Sequence, residues 1–259
     1  MEPAPTTADN ADDTEELAWS VVIPAYNEEA RIGSTLAAIH QYMERRGLEH
    51  EIIVVDDGSS DGTAALVARD FPEVRLLKNA VNLGKGAGVR TGLFAAQKPF
   101  VLFTDSDLST PIEELERFEW EFSQGADMVI ASRALPESKL ELRQPWWREL
   151  SGRSFNTLVR LISGLPFMDT QCGFKAYRLE VAREIAKRQQ LDGWAFDVEQ
   201  LHLARLLGFR VRETPVRWIN SPDTRVRFLK ASLQMLGEVV RVRFRKYDMG
   251  TTSNKRSRQ

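Results

Sequence analysis

"PFVLFTDSDLSTPIEE", residues 99–114, joins an apolar run to a pair of carboxylates and then to the start of a helix. Residues 99–105 read as a strand buried on both faces, because no polar side chain interrupts Phe100 to Phe103. Asp105 and Asp107 follow one residue apart at its carboxyl end. Two like charges that close are tolerated when both are well solvated, or when a cation sits between them. Beyond them Thr110 is placed to cap, Pro111 suits a first helical position and Glu113 completes a capping box, so a helix is expected over 111–124.

Working outward, the same alternation repeats. "WSVVIP" (19–24), "EIIVVDD" (51–57), "EVRLLKN" (73–79) and "DMVIAS" (127–132) are further short runs rich in Val and Ile. Helical patterns over 29–46, 61–70 and 86–97 separate them. Such alternation implies an α/β fold with a mainly parallel central sheet between helix layers. In sheets of this kind ligands bind beyond the carboxyl ends of the strands. The polar segments collect there: "PAYNEE", "DDGSSDGT", "NAVNLGKGAG", "DSDLSTP" and "SRAL". Five polar loops at one edge point to one site, although loops facing water are polar anyway. The second half reads as a helix over 145–165, a short strand "GFKAYR", a helix "WAFDVEQLHLARLLG" and a strand "RVRETPVRWI". In that last strand Pro215 suggests a sheet edge. A long basic amphipathic helix follows.

Composition narrows the class. The chain has 259 residues, 42% hydrophobic and 28% charged, with net charge −2. That is ordinary globular composition with no bulk attraction to nucleic acid. One cysteine, Cys172, rules out an internal disulfide and suits a reducing compartment. Three scattered histidines argue against a His/Cys zinc site. No apolar run approaches the roughly 18–20 residues needed to span a bilayer. The acidic N-terminus is the opposite of a signal peptide, so residues 1–17 read as a disordered lead-in and 248–259 as a disordered tail.

The residue types suggest the chemistry. Hard oxygen ligands at Asp105 and Asp107 suit Mg2+ or Mn2+, which leaves coordination positions for water and phosphate. Such an ion chiefly stabilises a departing diphosphate. "NLGKGAG" adds Lys85 and a helix N-terminus that could neighbour phosphate, while its glycines could equally serve close strand–helix packing. Asp56 and Asp57 are acceptor-only groups able to receive a nucleobase N–H or a ribose hydroxyl. Tyr26 offers an aromatic face for a base. The alternative for "DDGSSDGT" is a turn held by Asx-type hydrogen bonds, with Asp61 capping the next helix.

Taken in order, "VVIPAYNEE", "IIVVDDGSSDGT", "NLGKGAGVRTG", "TDSD" and "SR" resemble glycosyltransferase family 2, with its GT-A fold. The later "DTQCGFKAYR", "WAFDVE" and "RVRFLKASLQMLGEVVRVRF" are similar to the dolichyl-phosphate β-glucosyltransferases and bacterial polyprenyl-phosphate relatives. The resemblance spans roughly residues 18–246. The basic amphipathic pattern marks 223–247 as a membrane-interface helix, and the resemblance implies a catalytic domain over 18–222. It implies that Pro24, Tyr26, Glu28, Val55, Asp56 and Asp57 contact the nucleotide, and that Lys85 and Arg90 lie in the segment covering the donor. Asp105 and Asp107 would hold the metal and diphosphate, and Arg133 the acceptor phosphate. Related mannosyl enzymes bring an Arg and a Ser four residues apart to that phosphate. Here the position four before Ser151 is Trp147, and Arg148 and Arg153 flank the serine instead.

The expectation is therefore a metal-dependent inverting transfer of glucose from UDP-glucose to a polyprenyl phosphate, at the cytoplasmic membrane face. The same fold would serve a GDP-mannose enzyme, and a rival of another class is a non-catalytic nucleotide-sugar-binding protein. A hydroxyl acceptor is disfavoured, because neither a Q-x-x-R-W motif nor a Glu-Asp pair occurs. A polyprenyl phosphate is already an anion and needs no base. Asp197 is the one candidate base, with a donor-ordering or helix N-terminal role as the alternative. Between Arg225 and Lys246 seven basic residues face one acidic residue, Glu238. Leu229, Leu233, Leu236, Val240 and Phe244 fall at helical spacing. That helix could lie on an anionic membrane or dock on the domain with its arginines solvated.

Overall fold

The computed structural model describes residues 17–141, 146–220 and 228–248, with the side chains at 146–151, 153 and 228–233 outside that description. The expected disordered ends fall outside it too, apart from Leu17 and Asp248. The first half runs β1 (Ala18–Ala25), α1 (Ile32–Arg46), β2 (Glu49–Asp56), α2 (Thr63–Asp70), β3 (Arg75–Lys78), α3 (Lys85–Ala95), β4 (Phe100–Thr104), α4 (Leu115–Ser123) and β5 (Met128–Ser132). The second half runs β6 (Lys139–Glu141), α5 (Trp146–Ser163), β7 (Phe174–Arg178), α6 (Leu179–Arg188), α7 (Phe196–Leu206), β8 (Val211–Pro215), β9 (Arg217–Ile219) and α8 (Phe228–Phe244).

Seven strands form one sheet in the order β3-β2-β1-β4-β7-β5-β8. The sheet is mainly parallel, as expected; β7 alone runs antiparallel, to both β4 and β5. Alternate residues of one strand serve opposite cores. Phe100 and Leu102 of β4 pack with α1, α2 and α4, joining Leu36, Val67 and Phe118. Val101 and Phe103 pack with α3, α6, α7 and α8, joining Leu93, Ile185, Leu201 and Val239. Burial on both faces explains the uninterrupted apolar run.

Three details differ from the sequence reading. The helix after the aspartates opens as a 3-10 turn over Ile112–Glu114, without the capping box. Pro111 is extended (ψ 146°), so the chain turns one residue later than expected. The Thr110 hydroxyl lies 3.7 Å from Cys172 Sγ instead of capping. Second, "RVRETPVRWI" is two strands: β8 ends at Pro215 on the sheet edge, and β9 leaves to pair with β6 in a small second sheet. Third, α6 was not anticipated, although its buried Val181, Ala182, Ile185 and Ala186 keep helical spacing.

Candidate active site

The carboxyl ends of β1, β2, β4 and β5 present the polar loops at one edge, and β7 runs in the opposite direction between two of them. After β4, Asp105 donates its backbone N–H to the Gly173 carbonyl (3.1 Å), which locks the turn to the residue before β7. Asp107 Oδ1 accepts the Ser109 N–H (3.0 Å), closing an Asx turn that carries Leu108 at φ 45°. Both carboxylates line a cavity of about 120 Å³ with Arg133, Gly173 and Trp218. The split between β8 and β9 has a consequence here, because it is β9 that delivers Trp218.

The chain supplies a cation of its own to the pair. Lys85, the first residue of α3, places Nζ 2.6 Å from Asp105 Oδ1. The ammonium also lies over the rings of Phe103 (5.5 Å) and Trp194 (5.4 Å). Burial alone lowers the Lys85 pKa, but Asp105, Asp197 and Asp107 outweigh it and the net shift is upward. Lys85 therefore stays charged and balances one unit of the aspartate charge. Two acidic oxygen donors on one cavity, with a cation already drawn to one of them, are a donor set suited to Mg2+ or Mn2+.

Arg133 follows β5 and is held by Asp169. Nε and Nη2 donate to its two oxygens at 2.7 and 3.0 Å, and the Arg133 backbone N–H adds a third bond at 3.1 Å. Glu213 in turn accepts the N–H groups of Met168 (2.8 Å) and Asp169 (2.7 Å). The guanidinium lies 5.7 Å over the Trp218 ring. Burial pushes the Asp169 carboxyl up, but Arg133 outweighs it and holds the pKa below the ordinary carboxylate range. This fork geometry fixes the arginine's direction. Asp169, Gly173, Lys175 and Trp218 were missed in the sequence reading; the only signal was their membership of the segments "DTQCGFK" and "VRWI".

On the nucleotide side the two neighbouring aspartates divide. Asp57 is consumed by the following loop: Oδ1 accepts from Asn79 Nδ2 (2.8 Å) and Leu83 N (3.0 Å), and Oδ2 from Leu83 N (3.1 Å) and Gly84 N (2.7 Å). Among the described residues the Asp56 carboxylate accepts one bond, from Ser59 N at 3.3 Å. Acceptor capacity at this strand end thus rests with Asp56. Tyr26 is exposed beside them, and Glu28 is turned to Arg31 at 2.6 Å. Val55 is buried, as is the segment around Pro24, whose Cβ lies against Gly88. Asp61 accepts the Thr63 N–H (3.0 Å) at the start of α2, the turn alternative raised for this loop.

Arg90 does not reach the aspartate pair. It pairs with Asp192 (2.8 Å) and the Gln189 carbonyl (3.1 Å). The 189–194 segment itself rests on the glycine-rich turn: a Cβ on Gly84, which sits at φ 108°, would meet the Asp192 carbonyl oxygen at 2.4 Å, and one on Gly86 the Leu191 oxygen at 2.6 Å. The glycines here thus serve close packing. Asp197, in the first turn of α7, is ion-paired to the fully buried Lys175, which also donates to the Cys172 carbonyl (2.7 Å). Burial raises the Asp197 pKa and Lys175 and Lys85 oppose the shift. Arg148, Ser151 and Arg153 lie on α5, but their side chains fall outside the described residues.

The profile of Glycosyl transferase family 2 matches residues 20–186. The dolichyl-phosphate beta-glucosyltransferase of Dictyostelium discoideum is 32% identical over 93% of the chain and 78% of its own length. The enzyme of that name from Homo sapiens is 31% identical over 87% and 75%. Glucosyl-3-phosphoglycerate synthase of Mycobacterium tuberculosis, crystallised with Mn2+, uridine diphosphate and phosphoglyceric acid, superposes with a TM-score of 0.65 at 21% identity, covering 87% of the chain and 76% of that protein. At that identity the likeness shows the fold, and the fold is the expected GT-A arrangement.

Proposed function

The chain belongs to glycosyltransferase family 2, and from that premise we propose that it transfers glucose from UDP-glucose to a polyprenyl phosphate of the dolichyl type, with inversion at the anomeric carbon. The observation that carries this reading is the convergence of Asp105, Asp107 and Arg133 on one cavity. It sets donor-diphosphate chemistry beside a cation able to face an acceptor phosphate. The names of the relatives, each 31–34% identical among those of Dictyostelium, Trichomonas and human origin, support the choice of glucose and lipid phosphate.

A divalent ion held by Asp105 and Asp107 would supply charge stabilisation to the departing nucleoside diphosphate. The chain's own residues do the rest. Lys85 adds a fixed positive charge at the same carboxylates. Asp56 receives the base, with Tyr26 against its face. Arg133, aimed by Asp169, steadies the acceptor phosphate. One phosphate oxygen forms the new bond to the anomeric carbon as the bond to the diphosphate breaks, and the electron pair leaves with UDP. The acceptor is anionic already, so no carboxylate has to remove a proton, in keeping with an Asp197 committed to Lys175. Positioning and preorganised charge then account for the catalysis. We place the membrane-bound acceptor near α5 and α8; no helix among the described residues is long and apolar enough to cross a membrane.

The test is incubation with radiolabelled UDP-glucose or GDP-mannose, Mg2+ or Mn2+, and polyprenyl phosphates. Label should enter the lipid phase from UDP-glucose, and should vanish with EDTA or with Asp107→Ala while the fold persists by circular dichroism. Label from GDP-mannose alone would identify a mannosyl enzyme. Full transfer in EDTA would remove the metal from the reading, and no lipid label from either donor would sink it.

A further inference from the structure

At the end of the sheet opposite the aspartates, α1 and the start of β2 bring together His40, Glu44 and His50. One ligand atom from each lies within 4.8 Å of the other two. His40 and Glu44 are four residues apart on α1 and so share a face. His50 arrives from β2 after the left-handed Gly47 reverses the chain. The two imidazole rings stand 5.6 Å apart.

The histidines are set up as ligands. His50 Nδ1 lies 3.0 Å from the Leu48 carbonyl oxygen, which can only accept. In the neutral ring this contact puts the proton on Nδ1, which leaves Nε2 as the nitrogen able to bind an ion. A backbone carbonyl behind the ring is the usual outer-sphere partner of a metal-bound histidine. His40 Nδ1 is buried with no hydrogen-bond partner, a condition that a buried polar atom seldom keeps. Glu44 is exposed, so its carboxylate can swing to meet the rings.

We propose that His40, Glu44 and His50 form a site for a divalent transition-metal ion of the Zn2+ type, tying α1 to the first residues of β2. Two imidazoles and a carboxylate are a Zn2+ donor set, with bonds of about 2.0–2.1 Å and hence ligand atoms roughly 3.3 Å apart in a tetrahedron. A rotation of the Glu44 side chain closes the remaining gap, and water completes the shell. Mg2+ and Mn2+ prefer an all-oxygen set, so the two ends of the sheet differ in the ion they select. The site is remote from transfer: the six-residue rise from His50 to Asp56 is about 20 Å.

The experiment uses untagged, chelator-stripped Asp107→Ala protein, in which the aspartate pair no longer competes. Co2+ is followed by its visible bands and Zn2+ by calorimetry. The expected result is stoichiometric Co2+ binding with the spectrum of a four-coordinate nitrogen and oxygen site, displaced by Zn2+, with a rise in melting temperature. His50→Ala should weaken binding by more than the roughly 10–100-fold that loss of an outer-sphere partner costs. Glu44→Gln, at an exposed position that should not disturb folding, should weaken it as well. In the otherwise unaltered chain, His50→Ala should leave glycosyl transfer unchanged. Absence of saturable Co2+ and Zn2+ binding, or binding that neither substitution weakens, would overturn the site.

Discussion

Arg133 and Asp169 show how one side chain's direction is decided by a partner far along the chain. Arg133 lines the cavity that also holds Asp105 and Asp107, and Asp169 holds the arginine from behind. Arg133→Ala should remove charge-assisted hydrogen bonds worth about 1.5–3 kcal/mol each, a ten- to hundredfold loss of transfer. Nucleotide affinity, measured by calorimetry, should hardly move. If UDP binding weakened and acceptor saturation did not, the arginine would belong to the donor side. Asp169→Asn tests the same pair through stability. The folded pKa of Asp169 is depressed, so its contribution is fully present above the unfolded value of about 4 and is lost as pH falls through the lower folded value. The stability gap between parent and Asp169→Asn, followed by urea denaturation, should be constant near neutrality and close below about pH 4. Gly173 is the second control on the site. A Cβ there would meet Asp105 Oδ2 at 2.0 Å, while the backbone bond between the two residues keeps the turn in place. Gly173→Ala should therefore displace the carboxylate and leave the fold. A misplacement near 1 Å costs roughly a hundredfold in rate, and turnover within twofold of the parent would show that Asp105 relaxes without consequence.

At the scale of elements, α3 lies so close on β1 that a Cβ on Gly92 would meet Val22 Cγ1 at 2.1 Å. Both residues are buried in regular structure, so neither yields cheaply. Gly92→Ala should cost about 1–3 kcal/mol from overpacking, visible as a lower denaturant midpoint at unchanged slope. A neutral or stabilising result would mean that helix propensity outweighs the contact. The elements themselves divide by how locally they are encoded. β1, β2, β4 and β5 were legible because burial on both faces leaves an unbroken apolar run, and α3 because its pattern follows a glycine turn. The antiparallel insertion of β7 between β4 and β5 was not, since "GFKAYR" would read the same in either direction and either slot. Residues 210–219 looked like one strand because their alternation runs on past Pro215, whereas the break at Val216 depends on β6 being available as a partner for β9. The site follows the same rule. Asp105, Asp107, Lys85 and Arg133 stand beside strand ends and could be named from their own neighbourhoods. The contacts by which Asp169, Gly173 and Trp218 reach the site span 36, 68 and 85 residues of chain.

Over the whole molecule, the second half joins the site to a surface of a different character. α5 carries the positions expected at the acceptor phosphate, and its other end meets α8, where Arg243 Nη1 donates to the Ile162 carbonyl (2.9 Å). Around that junction large apolar side chains are left in solvent, with Leu161 74% and Phe244 76% exposed and Leu158 and Val240 close to half exposed. Arg241, Arg243 and Lys246 stand exposed among them. α8 also has a docked side: Val239 and Val242 are buried, and beyond its end the Tyr247 hydroxyl donates to the buried Glu199 carboxylate (2.8 Å). Glu199 accepts the Gln190 and Leu191 N–H groups as well, at the segment resting on the glycine-rich turn before Lys85. The docked stripe is therefore Met235, Val239 and Val242, whereas Val240 and Phe244 of the expected apolar stripe face outward and the side chains of Leu229 and Leu233 lie outside the described residues. Each basic residue near an anionic surface contributes about 1 kcal/mol, and burying an apolar side chain such as Phe244 about 1.5–3 kcal/mol. The chain should therefore sediment with vesicles containing phosphatidylserine and much less with neutral ones, and salt should weaken the binding. Phe244→Glu combined with Leu161→Glu should abolish sedimentation while leaving transfer to a short, water-soluble polyprenyl phosphate near the parent rate. Transfer to a long-chain acceptor in vesicles should fall in the same variant. Equal binding to neutral and anionic vesicles would exclude the electrostatic part of this account, and undiminished binding of the double variant would place the membrane contact elsewhere on the molecule.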